Sequence, residues 1–355
     1  MEEFDNIHYT TRTIDGYNMA FNFIISSRDA GKSTYIWVKK VYKAFKEEGR
    51  PSVVLRRKVV HITEEYIKDI SNIINKFTDD NVKFKFSRGS LKDGIVSVYI
   101  GSDLFIRVIG LSVDINQLKS ACLPNIKYMI FDEFISNPRY KEKYLTNEAS
   151  KFMDVYDTYM RESKTFLKCY FMGNPYSLYN PYFLFFGVDS SKLKLGVYLT
   201  DNVRYVVEVY QVCEELKKQL LKKNPLYQVD NDFVKYAFNG EAVLDKNIPL
   251  WKAMPNNFSL NICFKLSDKY LGVYKAQDYE AHNFYYFVQF INPNIISKRR
   301  DVYAFDFDDM VNGTQLITTP ARLKLQLFKS AMAKREVVFN NIECYYLIEE
   351  IYQQL

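Results

Sequence analysis

Apolar positions along this chain follow two spacings. Short unbroken runs, suited to strands buried on both faces, are separated by stretches in which apolar residues return every three or four positions, as on one side of a helix. Phe21 to Ile25 is the first such run, and Gly31 to Glu48 is the first helical stretch, closed by Gly49-Arg50-Pro51. Ser52 to Leu55 reads as a β-branched strand and Ile62 to Phe77 as an amphipathic helix. Val82 to Phe86, Ile95 to Ile100 and Leu104 to Ile109 read as short strands, the last two joined by the hairpin signal Gly101-Ser102-Asp103. A further apolar run ends at Phe134, a helix is expected from about Asn147 to Glu162, and the strand Phe166 to Met172 closes on Gly173-Asn174-Pro175. Ahead of all this, the residues to about Met19 are polar and read as an irregular arm.

Strands alternating with helices predict an α/β domain, a mostly parallel sheet covered by helices, over residues 1–205. The character then changes. Val206 to Lys223 reads as one charged helix stopped near Asn224-Pro225, and residues 206–245 form a small helical linker or lid. From 246 to the end, strands come first (Ser259–Leu266, Tyr270–Ala276, Asn283–Phe290, Val302–Phe307) and helices after (Pro320–Lys334, Ile342–Gln353). That order predicts a compact α+β domain.

Composition narrows the class. At 355 residues, 48% apolar and 25% charged, the chain is globular and long enough for two cores. No run reaches the roughly twenty apolar residues of a membrane span, and the acidic start Met-Glu-Glu-Phe-Asp lacks the layout of a signal peptide. Five scattered cysteines without a C-x-x-C point to reduced thiols in a cytosolic setting, and three histidines leave little for a histidine metal site. The net charge is +6, and the first 205 residues carry 30 basic against 24 acidic residues, so the whole excess lies there. A polyanion is therefore expected to engage that half.

Chemistry enters with Ser26-Ser27-Arg28-Asp29-Ala30-Gly31-Lys32-Ser33-Thr34, which follows a strand and opens a helix. This is the setting of a phosphate-binding P-loop, with Ser26 where the pattern asks for glycine. Loop and helix N–H groups wrap the phosphates, Gly31 lets the backbone come close, Lys32 reaches the β- and γ-phosphates, and the Ser33 hydroxyl can ligate Mg²⁺. About a hundred residues on, Tyr128-Met-Ile-Phe-Asp-Glu133 delivers two acids at the end of an apolar strand, the Walker B arrangement. Asp132 is expected to hold Mg²⁺ and Glu133 to activate the attacking water, which points to ATP hydrolysis. Asn174 is placed to sense the γ-phosphate. Arg161, at the end of a helix, and Lys119 are candidates for cations supplied to a neighbouring subunit's site. The triplets Arg56-Arg57-Lys58 and Lys298-Arg299-Arg300 are either contacts for a DNA backbone or solvated faces.

Together with Asp157-Thr158 before Arg161, Asn180-Pro-Tyr-Phe-Leu-Phe-Phe186, Tyr270-Leu-Gly-Val273 and Phe339-Asn-Asn, these motifs make the chain resemble the phi29-like phage DNA-packaging ATPases over nearly its whole length. The resemblance implies an additional-strand, catalytic-glutamate (ASCE) ATPase domain, a linker and a C-terminal domain of RNase H-like fold. It implies ATP and Mg²⁺ at Lys32, Ser33, Asp132 and Glu133, with Arg161 and Lys119 acting in trans. It further implies a homomeric ring, a pentamer, at the portal of an empty capsid in the bacterial host's cytoplasm, driving double-stranded DNA inside. A packaging RNA joins in one branch.

Related terminases also cut DNA with clustered carboxylates. Here Tyr270 to Ala276 carries no acid, and Asp306, Asp308 and Asp309 stand together far along the chain, where helix capping accounts for them. The expectation is therefore a motor without nuclease activity. The rival readings are a packaging terminase that cuts, a nucleotide-gated assembly factor docking on the portal, and, more remotely, a helicase.

Overall fold

The computed structural model describes residues 7–87, 90–114, 116–117, 123–137, 144–161, 166–200, 204–229, 234–235, 238–240, 242, 248–266, 269–277, 285–296, 301–304, 310, 314–316 and 323–352. The chain forms two compact units, Met1–Val243 and Leu244–Leu355.

The first unit is built on a nine-stranded sheet. In chain order its strands are β1 (Phe21–Ser26), β2 (Ser52–Arg56), β3 (Phe84–Lys85), β4 (Ile95–Ile100), β5 (Asp103–Gly110), β6 (Tyr128–Asp132), β7 (Lys168–Gly173), β8 (Gly196–Thr200) and β9 (Tyr205–Tyr210). Across the sheet they run β3-β4-β5-β2-β6-β7-β1-β9-β8. The six central strands from β5 to β9 are parallel, while β4 and β8 pair antiparallel at the flanks. Every residue of β1 and β2 is buried, as expected of parallel strands covered on both faces.

The registers set the site. Ile24 lies level with Met172, and Met172 with Asp132, so β1, β7 and β6 end together. Ligands of open α/β sheets bind beyond such carboxyl ends.

One face of the sheet is packed with rings. Phe23, Phe131 and Phe171 meet Phe134, Phe152, Tyr182, Phe183 and Phe186 at centroid distances of 4.8 to 6.1 Å. The Asn-Pro-Tyr-Phe-Leu-Phe-Phe run thus has a structural job. Asn180 caps the short helix Pro181–Phe186 by accepting from the Phe183 N–H at 3.0 Å, Pro181 suits its first turn, and Tyr182, Phe183 and Phe186 are buried.

Two readings of this half need correction. Val206 to Tyr210 is not helical: Tyr205–Tyr210 is strand β9, paired with β1, and only Glu214–Lys223 is helix. The expected linker at 206–245 therefore begins inside the sheet. The arm before Met19 contains the helix Arg12–Gly16, and its Tyr9 N–H donates to the Ala30 carbonyl at 2.8 Å while the Tyr9 hydroxyl donates to buried Glu208 at 2.6 Å.

The second unit holds a six-stranded sheet: β10 (Phe258–Leu266), β11 (Lys269–Ala276), β12 (Tyr286–Phe290), β13 (Asp301–Ala304), β14 (Thr314–Leu316) and β15 (Val337–Phe339). Their order is β14-β13-β10-β11-β12-β15, with β10, β11 and β12 antiparallel in sequence and β13 and β14 parallel to β10. Leu325 and Phe328 of the helix Leu323–Lys334 join Cys344, Ile348 and Ile351 of the helix Ile342–Tyr352 in a core with Ile262, Phe264 and Val288. Strands β14 and β15 are short and do not emerge from the apolar pattern.

Candidate nucleotide site

The sequence makes a tight loop unavoidable between Ser26, the last residue of β1, and Lys32, the first of a helix. Two residues turn it. Asp29 has φ +56 and Gly31 φ +92, the latter outside what a side chain tolerates easily. A Cβ on Gly31 would also stand 3.0 Å from the Cβ of His8. Ala30 is buried against Val212, Leu216, Leu220, Tyr227, Val234 and Phe238, and the Tyr227 hydroxyl donates to Asp29 at 2.7 Å. Chain beyond β9 therefore covers the loop.

Lys32 points along the sheet edge. Its Nζ donates to Asn174 Oδ1 at 2.8 Å and to the carbonyls of Ser26 and Ser27 at 3.4 and 3.3 Å. Burial pushes the ammonium down to about 8, although Asp132 and Glu133 pull the other way. Arg28 donates to the Tyr176 hydroxyl at 3.0 Å. Ser26 donates to the Ser27 carbonyl at 3.2 Å, so a hydroxyl is accommodated where glycine is usual. Thr34 is half-buried in the first turn of the helix.

Opposite stand the acids. Asp132 ends β6 and accepts from Arg56 Nη1 and from the Tyr66 hydroxyl, each at 3.1 Å. Burial raises its carboxyl above the usual range, while Arg56 draws it back. Glu133, the next residue, has φ +60, a conformation costing a non-glycine residue about 1–3 kcal/mol. That turn carries its carboxylate out to 59% exposure, where Arg56 Nη2 donates to it at 2.6 Å. Arg28, Asp29, Lys32, Ser33, Asp132, Glu133, Met172, Gly173 and Asn174 line one cavity of about 250 Å³. A wider depression near Phe45 and Tyr99 gathers no such chemistry.

The residues fit a metal-bound nucleoside triphosphate. Cationic side chains and a helix start form one wall, and the Ser33 hydroxyl and the Asp132 carboxylate can share a cation beside the second acid. Two buried polar atoms here, Ser27 Oγ and Arg56 Nε, have no hydrogen-bond partner among the described residues.

Two expectations fall elsewhere. Arg161 is 69% exposed, pairs with Asp157 at 2.8 Å and does not line this cavity. Lys119 lies outside the described residues, as do Lys298-Arg299-Arg300 and Asp306, Asp308 and Asp309. The triplet Arg56-Arg57-Lys58 is the clear miss. Arg56 and Arg57 are 8% and 1% exposed and are spent on internal carboxylates, so neither meets a DNA backbone nor forms a solvated face. Tyr66, whose ring lies 4.6 Å from the Arg56 guanidinium, also escaped notice. The one sequence signal for these residues was a charged pair directly after a fully apolar strand.

A profile of the podovirus DNA encapsidation protein (Gp16) family matches residues 4–355. The chain belongs to that family. Membership makes it a bacteriophage DNA-packaging motor protein. Among relatives, the DNA packaging protein of Bacillus phage PZA is 30% identical over 291 residues, 79% of this chain and 82% of that protein. That of Bacillus phage phi29 is 30% identical over 185 residues, about half of each chain. In structure the chain is similar to one from the bacteriophage Phi-29 viral genome packaging motor assembly, with TM-score 0.65 at 21% identity over 98% of this chain and 99% of that one. It is also similar to the Phi-28 gp11 DNA packaging motor, with TM-score 0.63 at 17% identity over 99% and 98%. These two share the fold.

Proposed function

We propose that the chain hydrolyses ATP at the cavity between Lys32 and Glu133 and couples that reaction to moving double-stranded DNA into a preformed capsid. The observation that carries this is the convergence of Lys32 and Ser33 with Asp132 and Glu133 on one cavity. The strand β7, inserted between the P-loop strand and the acid strand, supports the additional-strand, catalytic-glutamate class.

Within that reading, the loop N–H groups and Lys32 bind the β- and γ-phosphates, and Arg28 adds a second cation beside them. Ser33 and Asp132 would hold Mg²⁺, which supplies positive charge against the phosphate oxygens when bound. Glu133 orients the attacking water and takes its proton. Arg56 steers this acid: its 2.6 Å bond takes one oxygen of the Glu133 carboxylate and leaves the other for the water. Asn174, already bonded to Lys32, reports the γ-phosphate to the end of β7.

Arg161 and Lys119 serve a neighbour's site in a homomeric ring, a pentamer, seated on the portal, with a packaging RNA as a further partner. The exposure of Arg161 supports a role outside its own cavity. Of the expected linker or lid at 206–245, the part beyond β9 serves as the lid of the ATPase domain, and the second unit is an RNase H-like module that binds without cutting. Its three antiparallel strands with two parallel strands beside the first support that fold, and neither β10 nor β11 carries an acid. Among the described residues no three His, Cys, Asp or Glu side chains gather as a metal site, and no helix is long and apolar enough to cross a membrane. The place of action is the host cytoplasm, at the portal vertex.

Steady-state ATP turnover of the wild type and Glu133→Gln, with and without double-stranded DNA, tests this. Turnover falling about 10²–10⁴-fold in the variant with ATP still bound is expected, together with stimulation by DNA in the wild type. Turnover indifferent to DNA would favour a nucleotide-gated assembly factor, and metal-dependent nicking would restore the cutting terminase.

A further inference from the structure

Glu133 is held in its left-handed turn by a side chain that never reaches the cavity. Arg57, the residue just past β2, is 1% exposed and spends its guanidinium in two directions. Its Nη1 and Nη2 donate to the carbonyls of Glu133 and Phe134 at 3.3 and 2.5 Å, and so grip the backbone that follows the acid. Its Nε donates to both oxygens of Glu148, at 3.0 and 2.9 Å. Glu148 is itself buried and opens the helix Glu148–Met160, which is capped by Arg161. Its carboxylate also accepts from the Tyr182 hydroxyl at 2.8 Å and the Leu145 N–H at 2.7 Å, and the Tyr144 ring lies 4.7 Å from the Arg57 guanidinium. The guanidinium therefore joins two segments, the adjacent carbonyls of Glu133 and Phe134 and the carboxylate of Glu148, a task that suits its planar fork and not a point charge.

We propose that Arg57 and Glu148 are positioning residues for the reaction. The pair fixes the Glu133–Phe134 backbone, and hence the aim of the Glu133 carboxylate, and ties it to the helix that ends in Arg161. An acid acting in its own site and an arginine offered to a neighbour are then set by one buried joint. A folding role alone would not require the guanidinium to hold the two carbonyls beside Glu133. Nor would it place the partner carboxylate at the root of the helix that carries Arg161. This assignment rests on the ATPase reading above for its kinetic consequence, but not for its structural one.

The test uses the full chain as wild type, Arg57→Lys and Glu148→Gln. Arg57→Lys keeps the charge opposite Glu148 and loses the fork. Glu148→Gln keeps the fork on the carbonyls and loosens the helix. Hydrogen–deuterium exchange is followed in the peptide spanning Ile130 to Asn137, and ATP turnover and affinity are measured alongside. In Arg57→Lys, exchange across that peptide is expected to quicken at least about tenfold while β1 keeps its protection. Turnover is expected to fall about 10- to 100-fold with ATP affinity within about threefold, a loss in kcat and not in binding. Should Arg57→Lys fail to fold, Glu148→Gln carries the test, with faster exchange in the Glu148–Met160 helix and reduced kcat. Wild-type exchange at Ile130 to Asn137 in a folded variant overturns the positioning role, as does wild-type kcat. A wild type that turns over no ATP, combined with faster exchange in Arg57→Lys, would instead remove the ATPase reading and leave the joint standing.

Discussion

Lys32 Nζ lies 2.8 Å from Asn174 Oδ1, joining the first residue of the P-loop helix to the residue just past β7. Hydrogen bonds to a charged group contribute about 1.5–3 kcal/mol, so this contact sets where the ammonium waits. Asn174→Ala is expected to lower kcat/KM for ATP by about tenfold or more, since 1.4 kcal/mol is a factor of ten. Steady-state kinetics decide it, and an unchanged kcat/KM would strip Asn174 of any part in the reaction.

Lys32 gives the site a pH dependence of known sign. Its ammonium is lowered from 10.5 to about 8 by burial, so it loses its charge near pH 8 when no phosphate is bound. ATP affinity is expected to weaken roughly tenfold between pH 7 and 9, as the protonated fraction falls from about nine-tenths to about one-tenth. Fold stability moves the opposite way. Between about 8 and 10.5 the unfolded chain binds the extra proton, so stability rises with pH across that window. The charged lysine costs the free protein about 3 kcal/mol at pH 7. Titration calorimetry and thermal melts over pH 7–9.5, with Lys32→Met as control, would reveal opposite slopes that the control lacks.

Gly31→Ala meets two penalties at once, a backbone at φ +92 and a Cβ 3.0 Å from His8. The left-handed conformation alone costs about 1–2 kcal/mol. The variant is expected to melt several degrees lower and to bind ATP at least about tenfold more weakly. Adding His8→Gly, which removes the Cβ that the new methyl meets, should recover part of the stability and none of the φ cost. A Gly31→Ala chain that binds ATP like the wild type would show that this loop shape is dispensable.

Arg161 is exposed in its own chain, so its loss is a test of assembly. Arg161→Ala and Glu133→Gln chains are each expected to be inactive. Mixed in equal amounts, about a quarter of the interfaces in a cyclic ring combine an intact acid with an intact arginine, and turnover should return to roughly that fraction. Two inactive proteins that stay inactive when mixed would confine Arg161 to its own surface.

How much could be read in advance follows from the distance over which each residue acts. The P-loop, the acid pair and the helix stop at Gly49, whose φ is +64, are local, and their chemistry lies within a few residues of chain. Val206 to Tyr210 reads as helix because a run of valines and tyrosines ahead of Glu214-Glu215 and Lys217-Lys218 fits either period, and pairing with β1 and β8 on its two sides decides for strand. Arg56 and Arg57 were misread for a different reason. Their partners Asp132, Glu133 and Glu148 lie 76 to 91 residues away, so a buried ion pair looked like a basic surface patch. Asn180 to Phe186 stood out as a signature, and its reason, a capped helix filling an aromatic layer, became visible only with Phe23, Phe131 and Phe171 beside it.

The strand β7 between β6 and β1 has a mechanical meaning. Neighbouring strands stand about 4.8 Å apart, so the strand that leads into the lysine's loop and the strand that ends in the acids run roughly 10 Å apart on a hydrogen-bonded lattice that resists sliding. Neither wall can drift toward the other to make up for a poorly seated phosphate. The span is a fixed gauge, and whatever motion the motor delivers has to come from the parts hung on its rim: the side chains of Arg56 and Glu133, the Glu148–Met160 helix, and the cover over Ala30.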